Sequence, residues 1–293
     1  TATGAIRRGV GVGCMWYGCG NTSIPNPSTM RIGVAPDGTI TLYSGAQDIG
    51  QGTNTTMSQA AADGLGIAMN RIKLVWGDTD RTPDAGKSSA SRQAYVSGNA
   101  AKLAGEDLRA QILRLANVGE DARIHVEGGQ LVVTDSTGTH PIDLSPLSPA
   151  ENGDVLTGEG YFDPPTEPLD ERGQGKPYGT YGFAAQIADV EVDMELGTVK
   201  VLRIAAAHDV GRALNPQQVE GQIHGGVVQG LGLALMEEYI PGRTENLHDY
   251  LIPTIGDVPP IKTYIIEEPE PTGPWGAKGV GEIGLVPVPA AIA

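Results

Sequence analysis

The residues best placed to do chemistry gather in three polar, glycine-rich segments: Gly50-Gln51-Gly52-Thr53-Asn54-Thr55, Ser88-Ser89-Ala90-Ser91-Arg92-Gln93, and Trp275 to Gly284, whose single carboxylate is Glu282. Each lies just before or after an expected regular element. There, backbone N–H groups without helical partners, beside small side chains, let a polyanionic ligand come close. A lone Glu is most often an ordinary exposed carboxylate. Flanking glycines and Lys278 single Glu282 out as a functional candidate.

Other chemistries find no support. Gly9-Val10-Gly11-Val12-Gly13 lacks the framing strand and acidic partner of a dinucleotide-binding turn and reads as a tight strand or turn. The run Gly276-Ala277-Lys278-Gly279-Val280-Gly281-Glu282 lacks the Gly-Lys-Ser/Thr ending of a phosphate loop. The five His residues, at 125, 140, 208, 224 and 248, fall in no metal-ligand spacing, and no Gly-x-Ser-x-Gly turn offers a nucleophile. Cys14 and Cys19 match neither a zinc pair nor a redox Cys-x-x-Cys, so they read as buried free thiols.

The formal charge of −15 argues against a nucleic-acid binder, which needs surplus Lys and Arg on one face. Any anionic ligand must be held locally, against the field of the whole protein. No stretch approaches the roughly 20 unbroken apolar residues of a membrane-spanning helix, and the first residues form no signal sequence. The expectation is a soluble, cytoplasmic protein. With 293 residues, 40% of them hydrophobic, the chain can build one large or two ordinary domains. Its 42 Gly against 2 Phe favour turns and close backbone approaches over aromatic packing.

The elements that position these segments follow from periodicity. A glycine-rich entry segment leads to a hairpin of Met30–Ala35 and Thr39–Ser44 around Pro36-Asp37-Gly38. A helix is expected from about Asn54 to Ile67, a strand at Arg71–Trp76, and a second helix from about Tyr95 to Leu115. Strand pairs follow at Arg123–Glu127 with Gln130–Thr134, and at Ile187–Met194 with Thr198–Ala206. Ser145 to Tyr181 reads as a long surface excursion. A third helix, about Gln217 to Met236, runs through Gly221, Gly225, Gly226, Gly230 and Gly232. Such residues cost roughly 1 kcal/mol each in a helix interior, so something must approach that helix closely. The pattern is α+β with two lobes, 1–145 and 146–293, the second carrying the Glu282 loop.

Taken in order, four pieces resemble the second molybdenum-cofactor half of the xanthine dehydrogenase and aldehyde oxidase family. They are Asp48-Ile49-Gly50-Gln51-Gly52; Ser88 to Gln93 before Ser97-Gly98-Asn99-Ala100; Asp209-Val210-Gly211 with Asn215-Pro216 and the glycine-rich run Gly221 to Gly232; and Lys278-Gly279-Val280-Gly281-Glu282. The resemblance implies a two-lobed α+β molybdopterin-binding domain of the large-subunit type.

It also implies roles. Gln51, with Gly52, would reach the metal end of the cofactor. Ser88, Ser89, Ala90 and Ser91 would offer hydroxyls and N–H groups to its pterin and phosphate part, and Gln222 would join the pterin site. Glu282 would be the catalytic base, with Lys278, Gly279 and Val280 contacting the cofactor or fixing that base. Lys278 would also offset the burial that raises a carboxylate's pKa. Trp16 and Tyr17 fall in a segment that lines the substrate pocket of relatives. No direct protein ligand to molybdenum is implied.

The implied reaction is hydroxylation of an electron-poor carbon beside a ring nitrogen, with water as oxygen source. The first cofactor half has no counterpart here and is expected on a separate molybdopterin subunit, an arrangement resembling bacterial nicotinate dehydrogenase. The carboxyl end stops where relatives continue into a helix, so a longer natural chain is expected. A molybdopterin cytosine dinucleotide is the expected cofactor, with 2Fe-2S clusters and FAD on partner subunits, because two Cys cannot ligate a cluster. Aldehyde or carbon monoxide oxidation and a non-catalytic scaffold are the rival readings.

Overall fold

The computed structural model describes residues 4–293. In chain order its elements are β1 (Ile6–Gly18), β2 (Ser28–Val34), β3 (Ile40–Ser44), α1 (Thr53–Leu65), β4 (Ile72–Trp76), α2 (Gly98–Ala116), β5 (Arg123–Glu127), β6 (Gln130–Asp135), β7 (Gly138–Pro141), β8 (Leu156–Phe162), β9 (Tyr181–Asp193), β10 (Thr198–Asp209), α3 (Pro216–Leu235), β11 (Ile261–Ile266) and α4 (Val288–Ile292). The mixed α and β content agrees with the sequence.

These elements fall into two compact units. The first combines the segment ending at Cys19 with Thr180–Pro271 and Trp275–Ala293; the second comprises Gly20–Gly179 and Thr272–Pro274. The sequential lobes 1–145 and 146–293 do not coincide with them. The physical reason is strand pairing: β1 runs antiparallel to β9 along its whole length, from Ile6 opposite Asp193 to Gly18 opposite Tyr181.

The first unit is a four-stranded sheet in the order β1-β9-β10-β11, the last pair parallel. One face carries Ala188, Val190, Val201, Ile204 and Ala206, which pack with Ile223, Val227 and Leu231 of α3 and with Val288, Ala291 and Ile292 of α4. The glycine-rich entry segment is a strand because α4 presses on it. A Cβ added to Gly13 would lie 2.1 Å from the carbonyl oxygen of Pro287, so only glycine fits.

The second unit holds a sheet in the order β4-β3-β2-β8 and a smaller one in the order β5-β6-β7. Helix α2 lies on β2 and β8, and α1 packs on α2. Met30, Ile32, Leu42, Met57, Leu65, Leu108 and Ile112 are buried there. Within the expected surface excursion, Leu156–Phe162 instead pairs with β2. Its signal was masked because Gly158 and Gly160 stand where apolar side chains would alternate. A Cβ on Gly160 would lie 2.0 Å from the Ala100 carbonyl oxygen, so the strand backbone supports α2 directly. Strands β7 and β11 were likewise not anticipated. Among the described residues no helix is long and apolar enough to cross a membrane.

Gly13→Ala is expected to lower the stability of the chain by about 1–3 kcal/mol through forced separation of β1 and α4. Denaturant unfolding checks this; an unchanged midpoint would refute the tight contact.

Candidate functional site

In the first unit, β10 ends at Asp209 and the chain turns through Val210 and Gly211, the latter at φ 63°. This turn forms an isolated bridge with the glycine-rich loop, Gly211 opposite Ala277. Lys278 N donates to Val210 O at 3.0 Å, and Arg212 N donates to Gly276 O at 2.7 Å. Two separated motifs of the sequence are thus one structural feature. Downstream, Ile283 is fully buried and anchors the loop, whereas Glu282 is exposed.

The exposed carboxylate is nonetheless held. Tyr17 on β1 donates its phenolic hydrogen to Glu282 Oε2 at 2.6 Å. Alternation along the strand sends Trp16 to the other face, where it is 68% exposed and meets Tyr181 edge-to-face at 5.6 Å. Of the two aromatic candidates, only Tyr17 is brought to Glu282.

Lys278 is not the counter-charge of Glu282. Its Nζ lies 2.6 Å from Asp209 Oδ2, both side chains nearly buried, and 5.8 Å from the ring centroid of Phe183. Phe183 pairs with Trp16 across β1 and β9, so this ammonium is directed toward the face opposite Tyr17. The loop also covers Cys19, whose Sγ lies 3.8 Å from Gly279 O. Burial pushes that thiol up to about 11, so it is un-ionised at neutral pH. Cys14, expected to be buried, is exposed because it shares the outer face with Trp16.

Helix α3 begins with a cap: Asn215 Oδ1 accepts from Gln218 N at 3.2 Å and Pro216 occupies the first turn, which gives the Asn-Pro motif a structural role. Its glycines divide into two groups. Gly226 meets the loop backbone, where an added Cβ would lie 2.7 Å from Gly284; Gly230 is closed by Val288 and Gly232 by Pro253 and Glu237. The protein's own packing therefore explains these three. At Gly221 and Gly225 an added Cβ would find nothing within 4 Å, and half-buried Gln222 stands beside Gly221. Gln222 O is itself 3.3 Å from the position of a Cβ on Gly284, so the Gln222 turn and the Glu282 loop are in direct backbone contact.

In the second unit the Gly-Gln-Gly and Ser-rich turns meet at one carbonyl. Gln47 O accepts from Gln51 Nε2 at 2.9 Å and from Ser88 Oγ at 2.8 Å. Gln51 also accepts from Ile49 N and donates to Thr53 Oγ1, so its amide is folded into its own loop. The N–H groups of Gly50, Gly52 and Asn54 all point at Asp48. Burial acts to raise the Asp48 pKa, but those three bonds outweigh it and hold the carboxyl below its ordinary value. The start of α1 is thus already capped by an anion of the protein itself.

The Ser-rich turn carries Ala90 and Ser91 at φ 56° and 50°, a left-handed pair that non-glycine residues rarely adopt. Arg92, fully buried, enforces it from behind: its guanidinium donates to the carbonyls of Ala85, Lys87, Asn26 and Pro27. Sequence reasoning quoted Arg92 in the motif without assigning it this clamp; a charged residue inside a Ser-rich turn was the available signal. No motif marks Gln186, which is fully buried on β9. Among the described residues no group of three or more His, Cys, Asp or Glu could hold a metal ion.

The sequence and fold have known counterparts. Residues 1–259 match the molybdopterin cofactor-binding domain family. The chain is 34% identical over 309 residues to the putative xanthine dehydrogenase molybdenum-binding subunit XdhA of Escherichia coli (strain K12), covering 99% of this chain and 39% of that one. It is 32% identical over 272 residues to the nicotine 6-hydroxylase large subunit of Paenarthrobacter nicotinovorans, covering 90% and 33%. The crystal structure of the aldehyde oxidoreductase from Desulfovibrio desulfuricans matches with a TM-score of 0.85 at 32% identity, over 99% of this chain and 30% of that one.

The chain therefore belongs to the molybdopterin cofactor-binding domain family, in its xanthine dehydrogenase and aldehyde oxidoreductase branch. It spans about a third of the length of these relatives. The family match ends at residue 259, before the Glu282 loop, whereas the likeness to XdhA and to the aldehyde oxidoreductase runs over 99% of the chain.

Lys278→Met should destabilise the first unit by about 3–5 kcal/mol, because it leaves the Asp209 carboxylate nearly buried without its partner. Asp209→Asn combined with Lys278→Met should recover part of the loss. Unfolding midpoints of the single and double variants decide it; additive losses would refute a coupled pair.

Proposed function

We propose that the chain supplies part of the molybdenum site of a hydroxylase that acts on an N-heteroaromatic ring, nicotinate favoured, with water as the oxygen donor and Glu282 as general base. The observation that carries this is the 2.6 Å bond from Tyr17 to an exposed carboxylate on an otherwise anchored glycine loop. Tyr250 makes a bond of the same length to Glu237, so what sets Glu282 apart is the glycine loop that carries it, pinned by backbone bonds and by buried Ile283.

The residues present fit a pterin cofactor on one structural count. Gly221 and Gly225 expose bare helix backbone that no protein atom fills, beside Gln222, and a flat ring system fits against such a surface. Gln222, Gly279 and Val280 would hold it there, and Ser88, Ser89, Ala90 and Ser91 would receive the phosphate part. Lys278 serves instead through its ion pair, fixing the loop. Gln51 and Gly52 would act from their turn only after the Gln51 amide exchanges its bonds within the loop.

When bound, molybdenum and its pterin supply a two-electron acceptor. The chain would supply proton handling: Glu282 would take the proton released as water-derived oxygen bonds to the ring carbon, the electron pair of the broken ring C–H bond going to that acceptor, while Tyr17 fixes Oε2. General base catalysis of this kind is worth typically about 10²- to 10⁴-fold. Trp16, on the opposite sheet face, is a weaker candidate for substrate contact than Tyr17.

We place the rest of the cofactor site on a second molybdopterin subunit, since the chain spans about a third of the length of its relatives. Support comes from the outer face of the first sheet, where Val10, Val12, Trp16, Phe183, Ile187, Tyr264 and Ile266 are exposed together, a patch that further polypeptide would cover. A cytosine dinucleotide form of the cofactor, separate 2Fe-2S and FAD subunits, and assembly in the cytoplasm complete the proposal. Aldehyde oxidation is the second reading, favoured by the likeness to an aldehyde oxidoreductase.

Glu282→Gln should abolish turnover in the purified complex while leaving molybdenum content at the parental level. Metal analysis and assays with nicotinate, a purine and an aldehyde test both parts. A variant with near-normal rate removes Glu282 from the mechanism, and a parent complex with no molybdenum favours a scaffold.

A further inference from the structure

Gln186 on β9 and His208 on β10 are both fully buried, on the sheet face that packs against α3 and the glycine loop. Polar side chains there are unfavourable unless their hydrogen bonds are made. Gln186 Nε2 lies 2.9 Å from Gly284 O and 2.9 Å from His208 Nε2. A carbonyl only accepts, which fixes the orientation of the Gln186 amide. Its second hydrogen then points at His208, so His208 Nε2 is the acceptor and the imidazole proton sits on Nδ1; among the described residues that Nδ1 and Gln186 Oε1 have no partner, so the pair's polar cost is offset only by these two bonds. Burial pushes the His208 pKa down to about 4, which keeps the ring neutral and the acceptor available.

Gly284 belongs to irregular backbone, with no strand or helix partner to receive its carbonyl. Its opposite side meets bare backbone of α3 at Gly226, where no side chain is available to donate. Two residues upstream is Glu282, whose carbonyl accepts from Leu285 N at 3.1 Å, so the turn that presents the carboxylate closes around Gly284.

We propose that Gln186 is a positioning residue for Glu282, holding the Gly284 carbonyl and through it the turn that aims the carboxylate, with His208 orienting the Gln186 amide. This rests on the reading of Glu282 as the base. Gln186 touches neither substrate nor cofactor in this arrangement and acts through the loop alone.

The test uses the assembled, molybdenum-loaded complex with Gln186→Met, His208→Leu, His208→Gln and Glu282→Gln. Gln186→Met preserves volume and removes both donors. It should keep molybdenum content and hold KM within about twofold, while kcat falls roughly tenfold to a hundredfold, the scale of a misplaced reacting group. Amide hydrogen exchange over residues 280–286 should quicken in the same variant. His208→Gln retains an acceptor for Gln186 and should stay near the parent in kcat and exchange, and His208→Leu should fall between. Parental kcat and exchange in Gln186→Met would overturn the proposal. If that variant fails to assemble, the His208 pair decides: equal kcat and exchange in His208→Leu and His208→Gln overturn it. A dead Glu282→Gln beside an unaffected Gln186→Met defeats positioning alone; an active Glu282→Gln defeats the reading of the base, and with it this proposal.

Discussion

The first unit depends on a backbone-to-backbone contact between Gly226 of α3 and Gly284 of the glycine loop. Irregular chain that lies against a core has unpaired polar groups, and each must find a partner or be left at a cost of about 1–3 kcal/mol. Here the helix withdraws its side chains so that the loop can approach, and the sheet sends partners up to it. Lys278 N bonds to Val210, Gly279 O receives Cys19, and Gly284 O receives Gln186. With the backbone fixed at these points, Glu282 can stand exposed and still be oriented by Tyr17.

The second unit solves a related problem differently. Its Gly-Gln-Gly and Ser-rich turns share the Gln47 carbonyl, and its left-handed Ala90-Ser91 pair is braced by Arg92. A buried guanidinium with no carboxylate bound to it is expensive to desolvate, and burial pulls the Arg92 pKa down to about 10. Even so it is protonated at neutral pH, its charge spread over four carbonyl dipoles. Those dipoles belong to separate loops, so one side chain sets their spacing.

Much of this was legible in the residues, for reasons that also explain the gaps. The hairpin at Pro36-Asp37-Gly38 and the helices α1, α2 and α3 carry strong local signals in turn chemistry and 3.6-residue periodicity, and they appear within a few residues of expectation. Strands β1 and β8 do not, because glycines that accept α4 and α2 erase the alternation a strand normally shows. The interleaved units were invisible because the β1 to β9 pairing joins positions far apart in the chain. At the candidate site, motif order pointed to Glu282 and Gln222, whose backbone segments the structure brings together, but gave neither the partner of Lys278 nor the buried bonds of Gln186. Those are set by which face of a sheet a residue occupies, and a motif does not encode that.

The commitments of Lys278 and Arg92 bear on how an anionic ligand can be held at all. Lys278 neutralises Asp209 and Arg92 supports carbonyls, so neither of the motif cations offers its charge outward. The chain as a whole carries −15, and the start of α1 is occupied by Asp48. A phosphate at the Ser88 to Ser91 turn would therefore meet hydroxyls and backbone N–H groups, whose short-range dipoles are indifferent to net charge, and one exposed cation beside them, Lys87. The hydroxyl and N–H part of such binding would be directional, while the part contributed by Lys87 would weaken with salt.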